Sequence, residues 1–176
     1  FVHENGNTGF GTLNPLHKVD VNVRVRTKTL EITGGADLSE PFDVTDRKDL
    51  LKPLPGMVVG IDPDNEGALV ISDRAYNRRV AGIISGAGDV NPGMLMGQTG
   101  TVADGAYPVA LTGRVYCLAE TSGGTIEPGD LLTTSDVPGY AMKVTDYDRA
   151  QGAILGKAMT SLDKEKGQVL VLVSLQ

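Results

Sequence analysis

Two segments of this chain spell the same device, and few folds accommodate such a repeat. In one, Pro128-Gly129 opens a strand at Leu131-Leu132-Thr133, Asp136-Val137-Pro138-Gly139 turns, and Tyr140, Met142 and Val144 alternate on the return. Proline fixes φ and glycine accepts a positive one, so Pro-Gly is a start signal and Asp-x-Pro-Gly a turn signal. In the other, Pro55-Gly56 opens Met57–Ile61, Asp62–Gly67 turns, and Ala68–Ile71 returns. Each copy continues into a connector rich in Asp, Arg and Tyr (Ser72–Arg79 and Thr145–Gln151), then a small-residue strand (Val80–Ile84 and Ile154–Ala158). The pattern predicts an internal duplication over about 42–86 and 109–160. Such a unit cannot bury its apolar face alone and packs on its twin. A third Pro-Gly start, Pro92-Gly93-Met94-Leu95-Met96, predicts an extra edge or inserted strand.

The remaining segments favour strands too. Tyr107–Ala119 is a strong strand, broken or bulged at Gly113. Gly167–Gln176 is apolar on both faces, which predicts a central buried strand. Asp46–Leu51 is at most one helical turn before Pro53, and Ala150–Gly152 a brief one. No helix of four turns is visible. The fold class is all-β: duplicated hairpin units in a sandwich or barrel-like head (residues 36–176), with an extended N-terminal arm (residues 1–35).

The arm carries a second constraint. From Val19 to Lys28 the alternation is strict, with Val19, Val21, Val23, Val25 and Thr27 on one side and Asp20, Asn22, Arg24, Arg26 and Lys28 on the other. A strand from Val19 to Ile32 would reach about 45 Å, longer than a compact domain of this size needs. The sequence predicts that sister copies shield this valine stripe, so that Val19, Val21, Val23, Val25 and Thr27 line an oligomer interface.

Composition narrows the partners. Of 176 residues 40% are hydrophobic, enough for a packed core. The net charge of −6 argues against a nucleic-acid backbone or an anionic membrane surface. Cys117 is the one cysteine, so no internal disulfide forms, and it reads as a small buried hydrophobe. No apolar run approaches the ~18 residues of a membrane span. The chain begins at Phe1, which reads as a processed product, a fragment or a chain lacking its first residues.

The segment Gly6-Asn7-Thr8-Gly9-Phe10-Gly11-Thr12-Leu13-Asn14-Pro15-Leu16-His17-Lys18-Val19-Asp20-Val21 resembles the motif Gly-Asn-x-Gly-Ile-Gly-Thr-x-x-Pro-x-x-Lys-Leu-Asp-Val. That motif recurs in phage tail fibres and in bacterial surface proteins built like them, where it joins a trimeric β-rich shaft to a C-terminal head. Pro41–Val44, Pro55–Val59, Arg79–Ser85, Pro108–Val115 and Pro128–Ser135 resemble the head domain that follows the motif. The head is similar, more weakly, to the self-cleaving intramolecular-chaperone domain of phage neck appendages. The resemblance implies a trimeric, extracellular or virion-borne fibre subunit, and it carries over no catalytic residue.

Three chemistries are weighed against plainer structural roles. Self-cleavage needs a nucleophile with an activator, for which Ser72 beside Asp73, Ser85, and Ser135 beside Asp136 are candidates, with Lys157 as base. The plainer role is capping of turns and strand ends. Asp62, Asp64, Glu66, Gly67 and Asp73 fall at calcium-loop offsets. Against calcium stand Pro63, the strand expected at Ala68–Ile71, and an equivalent turn without carboxylates; a hairpin turn is the better reading. Arg74, Tyr76, Arg79, Tyr147 and Arg149 could stack on and bond to a glycan, as on a receptor-binding fibre tip, or form an ion-paired loop or subunit contact. No cofactor is expected. The leading expectation is a structural subunit that is not an enzyme.

Overall fold

The computed structural model describes residues 2–45 and 52–176. The turn expected over Asp46–Leu51 lies outside the described residues. The chain forms two compact units, Phe1–Glu31 and Ile32–Gln176.

In the first unit β1 (Thr8–Phe10) pairs in parallel with β2 (Val19–Val21), and among the described residues the only other pairing there is an isolated bridge between Val2 and Thr8. The long strand expected from Val19 to Lys28 is therefore three residues long. The reason is pairing: β1 offers a ladder only as far as Phe10, whose carbonyl accepts the Asn22 N–H at 3.0 Å. Beyond Asn22 the backbone has no partner strand among the described residues, and an unpaired strand has nothing to hold it extended. The N-terminal motif is a folding device here. Gly6 and Gly11 both sit at φ 78, a left-handed conformation that glycine adopts without strain. The Asn7 amide donates to the Pro15 carbonyl at 3.1 Å, and the Asp20 carboxylate accepts the Leu16 N–H at 2.9 Å.

The second unit is all-β, with one four-residue helix among the described residues. Its strands are β3 (Asp37–Phe42), β4 (Val44–Thr45), β5 (Val58–Ile61), β6 (Leu69–Ile71), β7 (Val80–Ile84), β8 (Met94–Leu95), β9 (Tyr107–Glu120), β10 (Leu131–Thr134), β11 (Ala141–Lys143), β12 (Ile154–Ala158) and β13 (Lys166–Ser174). Helix α1 (Tyr147–Ala150) lies between β11 and β12. The order β11-β10-β12-β13-β9 closes because β9 also pairs with β11, giving a five-stranded barrel. From β9 the sheet continues through β7, β5 and β6 to β4, while β3 pairs with the first half of β9 and β8 pairs with β3. Val115, Cys117, Val169, Val171, Val173, Leu132 and Leu155 fill the main core. Met57, Val59, Leu69, Ile71, Ile84 and Val109 form a second one under β5 to β7.

The duplication appears in the pairing. β5 is antiparallel to both β6 and β7, and β10 to both β11 and β12. The bulge falls at corresponding places, Val59/Gly60 against β7 and Leu132/Thr133 against β12. The Gly56 N–H donates to Ile84 O and the Gly129 N–H to Ala158 O. Asp62 N–H donates to Ala68 O, and Ser135 N–H to Tyr140 O. Pro-Gly, bulge and hairpin closure thus recur in register.

One expectation changes in detail. β13 is central in the sheet but buried on one face only: Val169, Val171 and Val173 point inward, while Leu172 is 45% exposed. The break in β9 is a bulge around Leu111, opposite Leu38/Ser39, followed by Gly113 at φ 102. A Cβ at Gly113 would meet the backbone of Ala36 and Asp37.

Candidate functional site

The connector residues meet where the two repeats interlock. Thr134 ends β10, and its hydroxyl donates to Arg74 O at 2.7 Å while accepting the Asn77 N–H at 2.8 Å. The Tyr76 N–H donates to Thr134 O, and the Ala75 N–H to the Asp136 carboxylate at 2.9 Å. These bonds bend the first connector so sharply that Tyr76 sits at φ 57, unusual for a residue with a side chain. Its hydroxyl then reaches the second connector, accepting the N–H of Thr145 at 3.0 Å and of Asp146 at 2.9 Å. It is also hydrogen-bonded to the Thr145 hydroxyl at 3.1 Å. The Arg149 guanidinium lies 4.4 Å from the Tyr76 ring centre. Asp146 caps α1, its carboxylate accepting the Arg149 N–H at 3.1 Å. Burial pushes the Tyr76 phenol up, but the bonds from Thr145 and Asp146 outweigh it and leave the pKa below 10.0.

Of the five residues singled out for a contact loop, this clamp joins Tyr76 and Arg149. Arg74 enters it through its carbonyl. Tyr147 is exposed, as are the side chains of Arg74 and Arg79. The arrangement can hold two connectors in one conformation, a structural act.

The carboxylates at calcium spacing are not gathered. Asp62 is buried at the head of a hairpin turn, where its oxygens accept the Asp64 N–H at 2.9 Å and the Asn65 amide at 3.0 Å. β6 then carries the chain away before Asp73. Among the described residues, no group of three or more His, Cys, Asp or Glu side chains is placed to hold a metal ion.

The serine candidates are all buried. Ser135 pairs with Glu120 rather than with its neighbour Asp136. Its hydroxyl donates to Glu120 Oε1 at 2.6 Å and accepts the Val137 N–H at 3.0 Å. Ser122 donates to the same oxygen at 2.7 Å, and its N–H to Oε2 at 2.6 Å. This buried carboxylate was not singled out in the sequence. The signal was an acid at the end of a strand whose alternate residues are apolar. The Ser72 hydroxyl lies 3.5 Å from the Asn77 amide, and the Ser85 hydroxyl has no hydrogen-bond partner among the described residues. Lys157 lines a depression of about 380 Å³ with Leu131, Ile154, Leu172, Ser174 and Gln176, and none of the three serines lines it. Cys117 is buried in the barrel, and that burial pushes its thiol far up.

In the N-terminal unit the valines do not gather into a covered stripe. Val19 is 64% exposed, Val23 87% and Val25 67%, and Thr27 is exposed too. Val21 is half-buried, and Pro15 is the one apolar side chain buried among the described residues of this unit. Neither the family models nor the curated proteins contain a match to this chain.

Proposed function

We propose that this chain is a structural, oligomer-forming subunit of an extracellular fibre or filament, assembled as a homotrimer through its N-terminal arm. One observation carries the reading: the arm leaves Val19, Val23, Val25 and Leu30 in solvent. Covering a valine side chain contributes about 1.5 kcal/mol or more, so several per copy would drive association strongly. The charged residues that alternate with the valines would then face water. The resemblance of Gly6–Val21 to the fibre motif supports the same reading, because that motif stands where a shaft meets a head. So does the clamp, which spends the connector's aromatic and charged groups on joining the repeats.

The test is light scattering on the intact chain and on a Val23→Asp, Val25→Asp variant. The intact chain is expected as a trimer, and the variant as a monomer whose head melts at the same temperature. A monomer for the intact chain at every concentration overturns the proposal. Mass spectrometry of a version extended upstream checks the non-enzymatic part. An intact chain is expected, and a cut just before this segment that depends on Ser72, Ser85 or Ser135 contradicts it.

A further inference from the structure

The head carries a sheet edge that matches the uncovered arm. β8 pairs in parallel with β3 (Leu38↔Met94, Ser39↔Leu95), and β3 is its one partner among the described residues. Met94 is 39% exposed, Leu95 58% and Met96 45%. Three successive large apolar residues in solvent on an open edge make a template for a further strand. The arm beyond Val21 has the opposite need: an alternating apolar and polar run with no strand partner among the described residues. Charge favours the match. Lys18, Arg24, Arg26 and Lys28 against Asp20 give residues 18–28 a net +3, counted as four minus one. Residues 32–176 hold 12 Lys and Arg against 19 Asp and Glu, a net −7. Asp104 lines the same depression as Leu95, and Glu40 lies on β3 next to Ser39.

We infer that the segment Asn22–Lys28 of one copy adds as a strand to the β8 edge of a second copy, with its valines on the sheet face that carries Leu95. Backbone bonds along the edge would supply affinity and the side-chain pattern the register. The inference rests on arm-driven assembly and adds the surface that receives the arm.

Cysteine cross-linking tests it on the full chain, since Cys117 is buried and stays out of the reaction. Chains bearing Val23→Cys are co-expressed with chains bearing Leu95→Cys and oxidised mildly. A disulfide-linked dimer of the two variants is expected, about tenfold above the yield with Asp163→Cys in place of Leu95→Cys, as contact raises effective concentration. If Val23→Cys chains link only to one another, arm-driven assembly stands and the edge proposal falls. If a single chain with both substitutions closes on itself and gives no linked dimer, the edge receives its own arm and the proposal falls. Monomers without any cross-link remove the assembly as well.

Discussion

Tyr76 carries the heaviest load of any one side chain outside the core. Its hydroxyl satisfies two backbone N–H groups of the second connector while its own backbone is held at φ 57 by the first. Tyr76→Phe should cost about 1–2 kcal/mol, read as a lower urea midpoint, because two donors lose their acceptor. The pH dependence has a definite sign. The folded pKa lies below the ordinary 10.0, so ionisation adds stability that is fully present above that value. That part is lost as pH falls through the folded pKa. The gap between wild type and Tyr76→Phe should therefore widen from about pH 7 to about pH 11. A second residue is Glu120, whose oxygens take bonds from Ser122 and the buried Ser135. Glu120→Ala leaves the Ser135 hydroxyl short of its acceptor, and chemical denaturation should show a loss of about 2–3 kcal/mol.

At the scale of elements, what was legible was local. Pro-Gly starts, Asp-rich turns and small-residue closing strands depend on φ preferences and turn chemistry, which a residue carries wherever it sits. They located both repeats and the edge at Met94. Pairings set by distant residues were not legible. Nothing near Thr134 in sequence says that it bonds the Arg74 carbonyl, and nothing near Ser135 names Glu120. Alternation also misled twice. In Gly167–Gln176 the unbroken apolar run Val169–Val173 hid a one-sided strand. At Val19–Lys28 strict alternation described a strand for which this chain supplies a partner only as far as Val21. The repeats make a prediction of their own. Gly82 and Gly156 occupy equivalent bulge positions, where a Cβ would collide with the carbonyl oxygens of Ala110 and Leu172 respectively. Those oxygens belong to sheet backbone and cannot yield. Gly156→Ala should lower stability by about 2–4 kcal/mol in thermal or urea unfolding, and Gly82→Ala should do likewise.

The whole molecule divides unevenly. Residues 32–176 hold both cores and a closed barrel, and among the described residues of 1–31 only Pro15 buries an apolar side chain. Removing residues 1–31 should leave the melting temperature of the head unchanged and abolish assembly, as calorimetry and light scattering would report. A head that no longer folds would place part of its stability in the arm. The central claim is that the valine arm becomes a strand only when a sister copy covers it. Amide hydrogen exchange across Asn22–Lys28 of the intact chain, read by mass spectrometry over a dilution series, tests it most directly. Protected amides are expected at assembling concentrations, with protection fading on dilution; exchange at free-chain rates at every concentration would mean that no sister copy covers the arm.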